Sequence, residues 1–414
     1  MNPLKTKDIL HAKERIEGVV KRTPLEYSQR LSKQYKANIY IKREDLQPVR
    51  SYKIRGAYNF LSSLGKEECK RGVVCASAGN HGQGVAFSCC KLKIKGVVFM
   101  PETTPRQKVD KVQSFGGGYV KIMLVGKTFD ESNIEALTYA KKKKAVYVHP
   151  FDDYRTMAGQ GTIGIEILEE LPKVEYVVLP IGGGGLVSGV GTYFKSESPS
   201  TKMLGVEPEG AAGMVCSLNK GKVTELEKLD TFVDGAAVRK VGAKTFKIAK
   251  QVLDDIVTVP EGQVCMTMIE LYQKDGIIAE PAGALSITAL EWYKDLIKGK
   301  MVVCVLSGGN NDISRYPEIV EKSLVYQGLK HYFIVEFFQK PGELKTFLNK
   351  ALGSTDDIVR FEYIKKTNKE KGPALVGIEL SKKSDLQPLL TRMNKLDIHY
   401  KHVKSNDVLY GVLV

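Results

Sequence analysis

The sequence predicts a two-lobed α/β protein that continues into a small α+β domain. Short apolar runs alternate with longer helical patterns through most of the 414 residues, the pattern of parallel sheets covered by helices. Several runs, such as Val302–Val305, are continuously apolar rather than alternating, as strands buried on both faces are. After about residue 328 the pattern becomes strand–helix–strand–strand–helix–strand, the ferredoxin-like order.

In chain order, the expected strands are Asn38–Lys42, Val73–Ala76, Gly96–Met100, Val120–Leu124, Val146–His149, Tyr176–Pro180, Lys202–Glu207 and Met301–Leu306. The strand at Val73 runs into a Gly-rich turn, Ala78–Gly84, and then a helix. Gly96–Leu124 repeats the strand–helix–strand plan, and Lys141–Lys144 closes a helix that starts at Asp130, where cations suit the C-terminal end. Residues 1–328 are therefore expected to form two α/β lobes, the smaller one (roughly 50–150) inserted in the other, with a cleft between them. Residues 329–414 are expected to form the second domain. Its strands are His331–Phe337, Ile358–Lys365, Ala374–Leu380 and Val408–Val412, and its helices are Glu343–Leu352 and Asp385–Leu396. Lys365–Lys371 reads as a charged, exposed hairpin loop.

Composition narrows the function. Hydrophobic residues make up 43% and charged residues 26%, as in a globular protein, and no apolar run reaches bilayer length. The first residues form a charged amphipathic pattern without the apolar core of a signal peptide, so a cytoplasmic location and no membrane partner are expected. The seven cysteines contain no C-x-x-C pair, and no metal site is expected. The net charge of +15 is spread along the chain without a zinc-finger, helix-turn-helix or RNA-binding signature, so nucleic acid is not an expected partner.

Five clusters carry chemistry. In Ser51-Tyr52-Lys53-Ile54-Arg55-Gly56-Ala57 a lysine is expected one turn into a helix, with Tyr52 able to pack beside a planar ring and Arg55 as a nearby cation. A surface lysine is the plain alternative. A Schiff-base lysine has to lose its charge easily, which burial and nearby cations favour. Ser77-Ala78-Gly79-Asn80-His81 opens a helix after a strand, where free N–H groups bind anions such as a carboxylate and Asn80 adds an amide donor. Alone it is equally a plain Gly-rich turn, and a lone His81 is more often structural than a base. Gly182-Gly183-Gly184-Gly185-Leu186 is a nest of N–H groups at a helix start, suited to a phosphate monoester, without the dinucleotide or P-loop fingerprint. Ser307, in Leu306-Ser307-Gly308-Gly309-Asn310, can hydrogen-bond a pyridine nitrogen without protonating it, although the stretch also reads as a strand-end turn. Glu280, in Glu280-Pro281-Ala282-Gly283-Ala284, either faces the cleft or caps the helix it opens.

Taken together, SYKIRGA, SAGNHGQG, PIGGGGL, EPAGA and LSGGN resemble the threonine dehydratases, in their order and over nearly the whole chain. These are fold-type II, tryptophan synthase β-like enzymes that use pyridoxal 5'-phosphate. The resemblance implies that Lys53 is the Schiff-base lysine and takes the Cα proton. It implies that Asn80 partners the cofactor's ring oxygen, Gly182 to Leu186 cradle its phosphate, Ser307 meets its pyridine nitrogen, and Ser77 to His81 hold the substrate carboxylate. Tyr52 and Glu280 join the cofactor set. The implied substrate is L-threonine, with L-serine as a second one, and the products are 2-oxobutanoate and ammonia. Ala78 stands where the related serine racemases carry a second Ser, which argues against racemisation. Gly213 lacks the acidic side chain of their metal site. The last domain resembles the ACT-like regulatory domain, in one copy, which implies feedback inhibition by isoleucine in a homotetramer. An oligomerisation module without a ligand is the plain alternative. Other PLP elimination enzymes, and a non-catalytic amino-acid sensor on the same scaffold, are the competing readings.

Overall fold

The computed structural model describes residues 4–364, 370–404 and 407–413. It divides into two compact units, one up to Asn311 and one from Asp312.

The first unit holds two sheets. The larger runs β1 (Leu25–Tyr27), β2 (Asn38–Arg43), β10 (Met301–Leu306), β7 (Tyr176–Pro180), β8 (Lys202–Pro208) and β9 (Asp255–Val259), in that spatial order. Every neighbouring pair in it is parallel except β1 with β2. The smaller sheet is fully parallel, in the order β5 (Val120–Leu124), β4 (Gly96–Met100), β3 (Val73–Ala76) and β6 (Val146–Tyr147). All four of its strands lie between β2 and β7 in sequence. Val302 to Leu306 and Val177 to Pro180 are buried along their whole length, which explains their unbroken apolar character. Strands β1 and β9 escape the sequence because they are sheet edges with exposed positions, and β1 is only three residues long.

An open parallel sheet binds ligands outside the carboxyl ends of its strands, where neighbouring connections diverge. Strands β7 and β10 are adjacent, so their carboxyl ends bring Gly182 and Ser307 to one edge.

The helix Lys53–Ser62 is clamped by a buried ion cluster. Arg55 Nε and Nη2 donate to the two Glu44 oxygens, both at 2.8 Å, and Nη1 donates to Glu166 Oε1 at 2.6 Å. Lys42 Nζ adds a pair to Glu166 at 2.7 Å. Burial opposes the Arg55 charge, but Glu44 and Glu166 more than compensate, and its pKa is raised. Arg55, expected as a nearby cation on the helix of Lys53, stays charged, with its charge balanced by two carboxylates.

The second unit is an antiparallel sheet in the order β12 (Asp357–Tyr363), β13 (Lys371–Glu379), β11 (Lys330–Phe338) and β14 (His399–Val403), with helical segments at Glu343–Thr346, Phe347–Ala351 and Leu386–Lys395. Phe333, Val335, Val376, Ile378, Leu389 and Met393 pack between sheet and helices. One expected strand is corrected. Val408–Val412 does not form the last strand, which is His399–Val403, paired to β11 with Tyr332 opposite Val403. Residues 410–413 are helical, and Val408 and Val412 are 92% and 75% exposed, so an apolar run without a partner strand misled the pattern. The expected helix Glu343–Leu352 is one short α turn followed by a π turn. The charged loop expected at Lys365–Lys371 has residues 365–369 outside the described residues, and Lys371 begins β13. Among the described residues no helix is long and apolar enough to cross a membrane.

Candidate active site

Lys53 is the first residue of its helix rather than one turn in. The chain before it is tied to the turn that ends β10. The Tyr52 N–H donates to the Ser307 carbonyl at 3.1 Å, the Gly309 N–H donates to the Arg50 carbonyl at 2.9 Å, and Ser51 bridges Gly308. Lys53 Nζ lies 5.2 Å from the Tyr52 ring centroid. Lys53 makes no ion pair among the described residues.

The helix Asn80–Leu92, which takes in most of the turn expected at Ala78–Gly84, lies against the helix of Lys53: a side chain at Gly84 would come within 3.2 Å of the Lys53 carbonyl. Ser77 Oγ accepts the Gly79 N–H at 3.2 Å, and the helix Asn80–Leu92 begins at Asn80. Its first-turn amides, those of Asn80 and His81 among them, have no intrahelical carbonyl to bond. His81 Nε2 meets the Val148 carbonyl at 2.9 Å, and since a carbonyl only accepts, Nε2 carries the hydrogen. That leaves Nδ1 as a bare, buried acceptor without a partner. Burial, with smaller pushes from Lys53 and His149, lowers the His81 pKa to about 3 against the Val148 bond, so the ring is neutral at physiological pH. His149 is lowered to about 4, mainly by burial.

The glycine run follows β7. Gly184 has φ +88°, and the helix Gly185–Glu197 starts beside it. The N–H groups of Gly182, Gly183 and Gly184 make no hydrogen bond among the described residues, so three consecutive backbone donors are unspent on one turn. A side chain at Gly183 would stand 2.3 Å from the Phe151 ring, and one at Gly182 would stand 2.7 Å from the Ala236 carbonyl. Leu186 is buried behind the turn. The stretches around Phe151 and Ala236 thus wall the glycine nest, while Asp152 caps the helix Ala243–Val252 through the Lys244 and Thr245 N–H groups.

Glu280 resolves to one of its two alternatives. Its side chain makes no capping bond to the helix Pro281–Thr288. Instead Glu280 Oε1 accepts from Asn80 Nδ2 at 2.7 Å, and the Asn310 N–H also donates to the carboxylate. Burial, then the charge of Asp234, pushes the Glu280 pKa up to about 7. Ser307 is buried, and its hydroxyl donates to the Ala282 carbonyl at 3.2 Å. The five sequence clusters therefore converge: Lys53 on Ser307 through Tyr52, Asn80 on Glu280, and His81 through Val148 and His149 on Phe151 and the glycines.

Sequence reasoning missed Asn310 as a partner of Asn80, with Asn310 Nδ2 donating to Asn80 Oδ1 at 2.8 Å. It also missed His149, whose Nδ1 accepts the Asp152 N–H at 2.8 Å and whose ring meets Phe151 edge-on at 4.7 Å. Both sit just past strand ends, and Asn310 also closes the LSGGN cluster, but neither signal says which side chain each would meet.

Comparison with known proteins adds the following. Residues 16–308 match the family model described as pyridoxal-phosphate dependent enzyme, and residues 321–413 match that of the C-terminal regulatory domain of threonine dehydratase. The chain is 54% identical over 415 residues to a protein of Halalkalibacterium halodurans named L-threonine dehydratase biosynthetic IlvA, covering 100% of both. It is 53% identical to the protein of the same name from Bacillus subtilis, covering 99% of this chain and 98% of that one. The structure of the processed form of threonine deaminase isoform 2 from Solanum lycopersicum superposes with a TM-score of 0.72 at 40% identity, covering 78% of this chain and 96% of that one.

Proposed function

The chain belongs to the pyridoxal-phosphate-dependent enzymes and carries a threonine dehydratase regulatory domain, and from that premise we propose that it is a threonine ammonia-lyase converting L-threonine to 2-oxobutanoate and ammonia. The observation that carries this reading is the Lys53 amine, which has no carboxylate partner among the described residues, at a site where Gly182, Gly183 and Gly184 hold three N–H groups that make no hydrogen bond among them. The residues fit the cofactor. The glycine nest suits its phosphate and Asn80 its ring oxygen, and Ser307 suits its pyridine nitrogen once the single O–H that it gives to the Ala282 carbonyl turns to the ring. The buried Ser51 Oγ, which lacks a partner, is a further polar atom beside that strand end. When bound, the cofactor supplies an electron sink for the charge that develops at Cα.

The chain's own residues do the rest. Lys53 Nζ holds the cofactor at rest and takes the Cα proton in turnover. The first-turn amides after Ser77 bind the substrate carboxylate. His81 and His149, whose pKa values burial lowers, are weak bases, which leaves proton transfer at Cα to Lys53. Ser307, a hydroxyl rather than a carboxylate, leaves the ring nitrogen unprotonated, which favours loss of the β-hydroxyl over transamination. Loss of water from threonine leaves an enamine, which takes water back as it releases ammonia, so the atoms balance. Ala78 offers no hydroxyl for reprotonation on the opposite face, which favours elimination over racemisation.

In the same reading, residues 1–328 carry the chemistry and residues 329–414 bind isoleucine as feedback inhibitor. The enzyme works in the cytoplasm as a homotetramer, in the first step of isoleucine biosynthesis. The test is an absorbance spectrum of the purified protein before and after L-threonine, with 2-oxobutanoate assayed in the same sample. A visible Schiff-base band that is absent in Lys53→Ala, together with product, is expected. A band without product from threonine, but with product from L-serine or another amino acid, would move the reaction to a different PLP elimination.

A further inference from the structure

Asn310 is fixed by two partners that can each play only one part. Lys111 Nζ, an ammonium with no lone pair, donates to Asn310 Oδ1 at 3.3 Å. The Val49 carbonyl, which cannot donate, accepts from Asn310 Nδ2 at 2.7 Å. The carboxamide therefore has one orientation, with its oxygen toward Lys111 and its NH2 toward Val49. The same NH2 reaches Asn80 Oδ1 at 2.8 Å and Gln83 Oε1 at 3.2 Å. Asn80 must in turn aim its oxygen at Asn310, and its own NH2 is left on the side of Glu280 Oε1, 2.7 Å away. Side-chain amide orientations are set by their network, and this network ends in one-way partners at Lys111 and Val49.

We propose that Asn310 is a positioning residue that holds the Asn80 carboxamide with its NH2, not its oxygen, presented to the cofactor's ring oxygen, and that Lys111 sets the orientation of Asn310. This rests on the reading of the site as a pyridoxal-phosphate site with Asn80 as the ring-oxygen partner. A donor there stabilises the ionised ring oxygen, whereas a reversed amide would set two acceptors against each other. Asn310 acts through Asn80 and need not touch the cofactor.

The experiment titrates the apo form of Asn310→Ala and of Lys111→Met with pyridoxal phosphate at one pH. It reads the affinity and the share of bound cofactor in the visible rather than the near-ultraviolet band. Asn310→Ala should bind about tenfold more weakly, the worth of one hydrogen bond to a charged acceptor, and the visible share should fall. Lys111→Met should shift the share in the same direction by less. A role limited to packing lowers the thermal midpoint but leaves the share unchanged, so an unchanged share in Asn310→Ala overturns the proposal. If Asn310→Ala does not fold, Lys111→Met decides alone, and an unchanged share there overturns it. No visible band in the unaltered protein would instead sink the underlying reading of the site.

Discussion

Glu280 shows how one buried residue can write a pH dependence into the fold. Its pKa rises from 4.5 to about 7, chiefly because burial disfavours the carboxylate. Between those values the folded chain keeps a proton that the unfolded chain releases. Stability from this group is therefore fully present below pH 4.5 and falls as pH rises through the window. His81 and His149, with lowered pKa values, contribute the opposite slope below their ordinary 6.5, but that slope is common to both proteins compared and cancels in a difference. Glu280→Gln keeps an acceptor for Asn80 and removes the ionisation. The thermal midpoint of Glu280→Gln, relative to the unaltered apoprotein, should climb between pH 5 and pH 7.5, and parallel profiles would contradict the assignment. At this scale the sequence singled out Lys53, Asn80, Ser307 and the glycines through motifs that each also had a plain reading, and it was their order together, resembling one family, that implied their roles. It could not say which way Glu280 or Arg55 points, because that is decided by partners more than a hundred residues away, such as Asn80 and Glu166.

The element that presents Lys53 is held by charge as much as by packing. Arg55 is fully buried between Glu44 and Glu166, which come from different parts of the chain, so the ion cluster ties the helix Lys53–Ser62 to the helix Tyr154–Glu170. Buried ion pairs add little net stability, but removing one partner strands the others. Arg55→Leu should cost about 3–5 kcal/mol in denaturant unfolding, chiefly through Glu44, which loses its cation, while Lys42 still pairs with Glu166. A loss under about 1 kcal/mol, the range of an exposed pair, would show that the cluster is not the clamp. Strands were the most legible elements, since a short continuous apolar run between turn residues suits a strand covered on both faces. The missed β1 and β9 are partly exposed edges, and the misplaced last strand reflects pairing: His399–Val403 is mostly polar, and only its register against β11 makes it a strand.

At the scale of the whole molecule, one chain joins a catalytic fold to a domain whose family is regulatory. An effector can act only by binding one state of the protein better than another. Adding L-isoleucine to the full chain should lower 2-oxobutanoate formation and raise the thermal midpoint, and a midpoint that does not respond to isoleucine would leave the domain a purely structural role. The α/β class was legible from periodicity, but the second unit begins at Asp312 and not near residue 328, because the helix Tyr316–Gln327 reads like one more helix of the α/β pattern; the arrangement of strands in each sheet rests on long-range pairing that no local pattern encodes. The central claim is that Lys53 carries the cofactor. The most direct test is to reduce the purified holoenzyme with borohydride, digest it and locate the pyridoxyl group by mass spectrometry. The account predicts the label on the peptide containing Lys53; a label on another lysine, or none, would contradict it.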